Sequence, residues 1–345
     1  MPEPSPRDQV LAIAEELGFD DCRIALAAEA THAAVFDQWI AEGKYGDMDW
    51  MAKTPERRRD PRVVLPGARS VIVLALNYFQ PEPASDGGDG VRGRIARYAW
   101  GDDYHDVIEK RLKRFCAELE ARFGGVHRRY VDYGPVLERD FASDAGVGWN
   151  GKSTVQIHRR FGTWFFLAEL ISTLELEPDP PSADHCGKCT ACIDCCPTGA
   201  ITAPRRLDAL RCISYLTIEN KGAIPEEFRQ AMGDRIFGCD DCLDACPWNR
   251  FARQSKEDAF SAREFVSGIA LREFLRLDDT QFRELFRKSP VKRIKRERFL
   301  RNVCVALGNV GDASDLADLR RAAADPDPLV SEHARWAISQ IESRS

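Results

Sequence analysis

The sequence predicts a protein of mixed helices and strands, α+β or α/β in class, that is built in three parts. The predicted parts are an N-terminal α/β domain over residues 1–178, a cysteine-rich domain over 179–255 and a helical region over 256–345. Helices alternate with strands in the first part, cysteines crowd into the second, and helical patterns fill the third. With 345 residues, of which 44% are hydrophobic, the chain is long enough for two or three domains.

The N-terminal part shows both kinds of hydrophobic periodicity. Apolar residues recur at helical spacing over 7–17 and 104–123, whereas the short apolar runs at 71–76 (VIVLAL) and 164–171 (WFFLAELI) are typical of buried strands. This alternation predicts an α/β domain. The stretch 80–93 is rich in Pro, Gly and Asp, and it predicts a loop.

Cysteine spacing is the most specific signal in the chain. Nine of the 12 cysteines lie between Cys186 and Cys246, in the blocks HCGKCTACIDCCPTGAI and FGCDDCLDACPWN with Cys212 between them. The first block contains C-x2-C-x2-C-x3-C-P, in which three thiolates bind one iron–sulfur cluster and the fourth reaches a neighbouring cluster. The sequence therefore predicts two 4Fe-4S clusters in a bacterial ferredoxin-like domain. This domain begins after the proline-rich segment 177–185, and its fold should depend on cluster insertion.

Ligand counting divides these cysteines between the two clusters. The second block supplies three cysteines and lacks a fourth, so Cys212 is predicted to complete the set and Cys195 is left over. Disulfides would suit an oxidising compartment and zinc would favour isolated C-x2-C pairs, so both alternatives fit less well. The predicted ligands are Cys186, Cys189, Cys192 and Cys246 for cluster 1, and Cys196, Cys212, Cys239 and Cys242 for cluster 2.

The C-terminal part carries a faint internal repeat and a basic run. Residues 301–312 (RNVCVALGNVGD) align with 331–342 (SEHARWAISQIE), which predicts stacked helical hairpins of the HEAT type. The run 287–301 contains eight Lys or Arg and one acidic residue. Two interpretations remain open for it: a solvated helix face or a phosphate-binding surface.

Compartment and partners are constrained by charge and hydropathy. The N-terminus lacks the apolar segment of a secretory signal, and no apolar run reaches membrane-spanning length. We therefore expect a cytoplasmic protein with no membrane partner, and nothing in the sequence requires more than a monomer. The net charge of −6 argues against nonspecific binding of nucleic acid by the chain as a whole.

A candidate acid lies in the segment VDYGPVLERDFASDAGVGWNGKST, residues 131–154. Asp132 follows a short apolar strand, where a carboxyl group could protonate a substrate. An aspartate before Gly-Pro is also a common turn or cap residue. The chain has neither the Gly-rich dinucleotide-binding pattern after a strand nor a P-loop.

Five separated motifs together resemble the epoxyqueuosine reductase family over nearly the whole chain. They are RYAWGDDYH (97–105), the 131–154 segment, the two cysteine blocks and RCISYLTIENKGAIPEEFR (211–229). The resemblance implies an enzyme that reduces epoxyqueuosine to queuosine at the wobble position of tRNA. It also implies cobalamin, cob(II)alamin at rest and cob(I)alamin when active, which is reduced through the two clusters. A flavodoxin or ferredoxin is the expected class of electron donor.

The resemblance also implies roles for individual residues. Asp132 matches the family's proton donor, with a pKa expected to be raised by burial. Lys221 matches a tRNA contact, with Asn220 as the alternative, and the tRNA stem is expected to lie on Lys292, Arg293, Lys295 and Arg296 of the basic run. The expected cobalamin contacts are Arg58, Ala96, Asp132, Gln156, Leu167, Ser214, Cys239 and Asp240.

Three further residues of the quoted motifs have open or excluded roles. Lys152 could bind a phosphate or a structural carbonyl group. His105 and His158 are not expected to be axial cobalt ligands, because the family holds cobalamin with no protein imidazole on cobalt.

Two alternative functions remain open for the sequence. A reductive dehalogenase would share cobalamin and two clusters, but it would be expected to carry an export signal and to have no basic helical tail. An electron-transfer subunit would have an N-terminal domain that only docks a partner. A corrin spectrum would distinguish the enzyme from this carrier.

Overall fold

The computed structural model describes residues 4–83 and 89–344 and builds the N-terminal part around one sheet. The segments 71–76 and 164–171 are strands, and 7–17 and 104–123 are helices to within a residue, as predicted. The elements of this part are α1 (Pro6–Glu16), β1 (Asp21–Leu26), α2 (Ala33–Ala41), α3 (Pro55–Arg59), α4 (Pro61–Val64), β2 (Ser70–Asn77), β3 (Arg94–Ile95), α5 (Tyr104–Phe123), β4 (His127–Tyr130), α6 (Glu138–Asp144), β5 (Trp149–Asn150), β6 (Gln156–Ile157) and β7 (Phe165–Ser172).

The main sheet has the strand order β1-β2-β7-β4, and each neighbouring pair is antiparallel. The protein is therefore α+β, and the α/β alternative is wrong for this sheet. All eight residues of β2 are buried, with Ile72 and Leu74 in one hydrophobic cluster and Val71 and Val73 in another. A strand covered on both faces gives the unbroken apolar run that is otherwise typical of parallel sheets.

Helix α5 carries the site residues at its first turn. The Asp103 side chain caps it by accepting the His105 N–H, as expected for an N-cap aspartate. Its buried stripe includes Tyr104, Ile108 and Leu112, which pack on the sheet. Because this stripe packs on the sheet, it fixes the orientation of the Tyr104 and His105 side chains.

The cysteine-rich part consists of short elements. Residues 177–185 are neither helix nor strand, and Tyr215–Glu219 form a single π-helical turn. Strand β10 pairs in parallel with β3, which ties this part to the N-terminal part. The elements are α7 (Ala191–Asp194), β8 (Ile201–Ala203), β9 (Arg206–Leu207), α8 (Glu226–Arg229), β10 (Arg235–Phe237) and α9 (Asp241–Asp244).

The C-terminal part is helical, as predicted, and the two segments of the internal repeat lie in α12 and α14, which pack together. Its helices share one hydrophobic core with Ile95, Ile218 and Phe237 of the preceding parts. The region is therefore packed into the rest of the protein, and its HEAT-like character stays a prediction. The helices are α10 (Leu271–Phe274), α11 (Asp279–Leu285), α12 (Lys295–Val310), α13 (Leu316–Ala322) and α14 (Pro328–Arg344).

Among the residues that the structure describes, no helix combines the length and apolarity needed to cross a membrane.

Candidate active site

Asp132 stands at the end of β4 in a constrained turn. Its φ of 61° lies in the left-handed region, where residues other than glycine are uncommon. The Tyr104 hydroxyl donates to Asp132 Oδ2 at 2.5 Å, and the Asp132 N–H donates to Glu138 Oε1 at 2.8 Å. The Asp132 side chain is nevertheless 65% exposed. The carboxylate is thus held from one side and open on the other, and the protein alone does not provide the burial that the sequence led us to expect.

Two carboxyl groups lie behind Asp132, those of the half-buried Glu138 and of Glu169. Glu169 is fully buried in β7, and within the described residues its oxygens meet no hydrogen-bond donor apart from the neighbouring carboxyl group of Glu138. Burial raises the pKa of Glu138 to about 8, with a further contribution from the charge of Asp132. Burial and the charge of Glu138 raise the pKa of Glu169 well above its usual range. At neutral pH the pair therefore keeps at least one proton.

Tyr98 lies between the Asp132 turn and the cysteine-rich part. Its ring is 6.0 Å from the ring of Tyr104 and 6.0 Å from that of Phe237. Burial raises the pKa of the Tyr98 hydroxyl above its usual range, and several charged groups are close enough to influence it. These groups are Arg293, Asp132, Asp240 and Glu219. Side chains from all three parts of the chain thus lie around Tyr98.

An open cavity of about 270 Å³ lies beside strands β3 and β10, and Ala96, Cys239 and Asp240 are among the residues that line it. The Arg97 N–H donates to Asp240 Oδ2 at 2.6 Å, and burial raises the pKa of Asp240 to about 7. Gly238 has a φ of +71°, and a Cβ atom there would lie 2.6 Å from Ala96 Cβ. Only glycine allows this close approach of the two chain segments.

The other expected cobalamin contacts lie in three places. Arg58 is buried and donates to the Gly134 carbonyl at 3.2 Å, next to Asp132, while its Nε meets no partner among the described residues. The Ser214 hydroxyl lies at the Cys212 thiol. Gln156 is buried against Ser143, and Leu167 is partly buried in β7. The structure therefore joins Arg58 to Asp132 and joins Ala96 to Cys239 and Asp240, but no contact links Gln156 or Leu167 to either group.

The cysteine thiols fall into two sets. Burial raises the pKa of Cys246, and the thiols of Cys186, Cys192 and Cys189 also act on it. Burial likewise raises the pKa of Cys242 well above its usual range, with contributions from Cys212 and Cys239. Cys196 in turn acts on Cys212. These interactions are consistent with the two sets of four that ligand counting predicts, although Cys195 also acts on Cys242, and the ligand sets stay a prediction.

The other arrangements considered for the cysteines are disulfides and a zinc site. All 12 cysteines are free thiols here, and within the described ranges no three His, Cys, Asp or Glu side chains are placed around a single ion. The leftover Cys195 donates through its thiol to the Asp241 carbonyl at 3.3 Å.

The predicted tRNA-binding cations differ in availability. Lys292 and Lys295 are exposed, and Lys221 is exposed above Asp47 and Asp49. Arg293 forms an ion pair with Glu219 and is half-exposed. Arg296 has a different environment.

Arg296 is only 18% exposed, pairs with Asp325 at 2.7 Å and donates to the Leu277 carbonyl. It stabilises the helical region, so the expected role in binding tRNA does not fit its position. Asn220 is half-buried. Its backbone carbonyl accepts from Arg301 at 2.8 Å, and its side-chain amide donates to the Ala223 carbonyl at 3.2 Å within the turn.

Three motif residues have hydrogen-bond partners within the chain. Lys152 donates to the Gly187 and Cys189 carbonyls at 2.7 and 2.9 Å, which favours the structural interpretation. His158 is buried against Asp21 at 3.0 Å. His105 bonds to Asp103 at 2.7 Å. His158 therefore has a packing partner, whereas the His105 imidazole lies at the site, with its Nε2 3.8 Å from Asp132 Oδ2.

Comparison with known proteins decides between the alternatives. A family model described as epoxyqueuosine reductase QueG, DUF1730 matches residues 58–133, and one described as a 4Fe-4S double cluster binding domain matches residues 185–249. An epoxyqueuosine reductase of Xanthomonas campestris is 43% identical over 345 residues, which cover 98% of this chain and 97% of the relative. The chain belongs to the epoxyqueuosine reductase family. It is therefore an oxidoreductase, and the predicted double-cluster domain is confirmed.

Solved epoxyqueuosine reductases share the fold. A crystal structure of one with an epoxyqueuosine-modified stem loop of tyrosine tRNA is 32% identical, with a TM-score of 0.89 over 96% of this chain and 89% of that one. Another, from Bacillus subtilis, has its catalytic aspartate loop swung out of the active site. It is 31% identical, with a TM-score of 0.87 over 96% of this chain and 89% of that one.

Sequence analysis missed four groups of this reductase site: Tyr98, Tyr104, Glu138 and Glu169. Both tyrosines lie in the RYAWGDDYH motif, which carried the family resemblance without a role for its rings. Glu169 had a visible signal, because it is the one charged residue in the apolar run WFFLAELI. A lone carboxylate in a buried strand is costly unless its charge is removed or paired.

Proposed function

We propose that the chain reduces epoxyqueuosine to queuosine in the anticodon of tRNA, with Asp132 as the proton donor. The observation that carries this proposal is the Asp132 carboxylate, which is held at 2.5 Å by the Tyr104 hydroxyl and is open on its other side. The relative whose catalytic aspartate loop swings out of its active site supports the same role for this turn. A tRNA substrate fits a cytoplasmic enzyme, and a monomer suffices.

Two features of the site suit cobalamin. The buried Arg58 Nε has no partner among the described residues, and the cavity beside Ala96 opens to solvent and is lined in part by Gly93 and Gly238, which have no side chains to block it. A bound cobalamin supplies a strongly reducing metal nucleophile that no side chain can replace. The residues proposed to hold it are Arg58, Ala96, Asp132, Gln156, Leu167, Ser214, Cys239 and Asp240.

The protein's own groups manage the protons. Reduction of the epoxide to an alkene consumes two electrons and two protons and releases water. Tyr104 and the Glu138 carboxyl fix the Asp132 turn, so that the carboxyl group meets the departing oxygen in a defined direction. Glu138 and Glu169 keep a proton behind it.

The two sets of cysteines given above would hold the clusters, which would supply single electrons to the site when bound. Cys239 lines the cavity and Asp240 follows it, so cluster 2 is proposed to lie beside the cobalamin and cluster 1 to receive electrons from outside. The donor is proposed to be a small redox protein of the flavodoxin or ferredoxin class.

A tRNA anticodon fits the exposed cations of the basic run 287–301 and Lys221, which lie beside the site. The related crystal structure contains a tRNA stem loop, and enzymes that modify a base in a loop bind the flanking phosphates electrostatically. Lys221, Lys292, Arg293 and Lys295 are proposed to bind the stem. Arg293 also acts on Tyr98, so this surface continues into the site.

Mass analysis of tRNA nucleosides from a strain that lacks this protein tests the function. We expect epoxyqueuosine to accumulate in the deletion strain and queuosine to return with the wild-type gene. The Asp132→Asn gene should leave epoxyqueuosine in place. Normal queuosine in the deletion strain would refute the function, whereas full rescue by Asp132→Asn would remove only Asp132 from the mechanism.

A further inference from the structure

A second concave surface lies outside the active site. It is an open, shallow cavity of about 290 Å³ lined by Arg159, Arg160, Arg250, Phe251, Ala252 and Arg253, which we call the basic patch. Its four arginines are exposed, and Phe251 is 42% exposed. Four cations around an exposed aromatic ring are unusual on a chain whose net charge is −6.

Little of this positive charge is neutralised by the described residues. Arg159 contacts the His185 imidazole at 2.5 Å, and Arg250 lies over the Phe251 ring at 4.6 Å. Arg160 donates to the Asp20 carbonyl and comes only within 4.0 Å of a carboxylate, that of Asp21. The basic patch therefore presents its charge to a partner.

The basic patch adjoins both chain segments that carry cluster 1. Phe251 lies 5.5 Å from Trp248, whose ring lies 5.8 Å from that of His185. Trp248 follows Cys246 by two residues, and His185 immediately precedes Cys186. An aromatic row thus connects the exposed ring to the two ends of the cluster 1 ligand set.

Cluster 1 also has the more open ligands. Cys189 is exposed, and none of the proposed cluster 2 thiols is. Its neighbours Gly187, Lys188 and Thr190 are exposed as well. Electron transfer between proteins requires a short path from the surface to the first centre, and cluster 1 offers one beside the basic patch.

We propose that the basic patch is the docking surface for a small acidic electron-donor protein that reduces cluster 1. This inference rests on the proposed function. Opposite charges accelerate encounter and orient the partners, and an exposed aromatic ring adds desolvated contact area. Each encounter oxidises one donor by one electron and reduces the enzyme by one, so two encounters supply the two electrons of one turnover. Asp132 gives its proton and is reprotonated, so that the two protons consumed are replaced from solvent. A tRNA substrate reacts at the active site and exchanges no electrons with cluster 1, so a position beside cluster 1 favours an electron donor as the occupant.

Stopped-flow reduction of the cluster-loaded enzyme by reduced flavodoxin, without tRNA, tests the docking surface. The variant is Arg250→Glu/Arg253→Glu, and the matched control is Arg320→Glu/Arg335→Glu on α13 and α14. We expect the variant to lower the second-order rate of cluster bleaching roughly tenfold at low salt, with a smaller difference at high salt. Bleaching by dithionite should be unchanged in both variants.

Three results would overturn the proposal. They are equal flavodoxin rates for variant and wild type at low salt, an equal loss in the control variant, and no bleaching of the wild type by flavodoxin. A rise in the KM for tRNA during dithionite-driven turnover would assign the basic patch to the substrate instead. Because bleaching needs no tRNA, failure of the proposed function would appear separately, as absence of queuosine with either reductant.

Discussion

At the scale of single residues, the site depends on how Asp132 is supported. The left-handed backbone at Asp132 costs about 1–3 kcal/mol in free energy, and the bonds from Tyr104 and to Glu138 offset that cost. The sequence identified Asp132 because it stands in a motif. It could not identify Glu138 and Glu169 as a pair, since they are 31 residues apart and meet only when α6 packs on β7.

The carboxyl pair makes stability depend on pH. The pKa of Glu138 rises on folding from the usual 4.5 to about 8, and that of Glu169 also rises. The folded protein therefore binds more protons than the unfolded chain across this range, so the pair lowers stability as pH rises from about 4.5 towards 8.

We expect Glu138→Gln/Glu169→Gln to remove this dependence, because glutamine keeps the shape and the acceptor for the Asp132 N–H. Thermal unfolding of the holoprotein under anaerobic conditions should show a Tm advantage for the variant of a few degrees at pH 8 that shrinks towards pH 5. Parallel Tm profiles for the two proteins would refute a protonated pair.

At the scale of elements, the sequence predicted helices and strands well and their arrangement less well. Periodicity located α5 and β2 because burial repeats along each of them. The direction of a strand depends on the long connections between strands, which the local pattern does not show. The buried apolar run of β2 therefore suggested a parallel α/β sheet, although its two neighbours are antiparallel. The division of the cysteines between two clusters rests on ligand number, which limits the possible partitions, and it stays a prediction.

The role of Cys212 in cluster 2 can be tested against the leftover cysteine. We expect Cys212→Ser to lose about half of the iron and acid-labile sulfide, since a 4Fe-4S cluster needs four ligands. Cys195→Ser is the matched control and should keep the wild-type content. Full iron in Cys212→Ser, or loss of iron in Cys195→Ser, would contradict the division of ligands.

At the scale of the whole molecule, the C-terminal helices are part of the site's framework. Buried Arg301 of α12 donates to the carbonyls of Leu216, Asn220 and Gly222, and Asn302 donates to those of Thr217 and Ile236. These bonds fix the turn that presents Lys221. The sequence showed a helical pattern after residue 255 and suggested a separate region. It gave no sign that the hydrophobic core of that region includes residues of the preceding parts.

The exposed lysines of the basic run 287–301 should govern tRNA affinity. We expect Lys292→Glu/Lys295→Glu to raise the KM for an anticodon stem loop by roughly tenfold at low salt and to flatten its salt dependence, because fewer phosphates are neutralised. The control is again Arg320→Glu/Arg335→Glu, and dithionite is the reductant in both cases. An unchanged KM at low salt would show that the stem lies elsewhere.

The central claim is that Asp132 gives the proton in the reduction of epoxyqueuosine. The direct measurement is queuosine formation by Asp132→Asn enzyme, loaded with both clusters and cobalamin and driven by dithionite, on an epoxyqueuosine stem loop followed by mass spectrometry. We predict a kcat lower by about 10²–10⁴-fold, as is typical for loss of a general acid, with the KM for the stem loop nearly unchanged. A wild-type kcat, or a loss confined to KM, would contradict it.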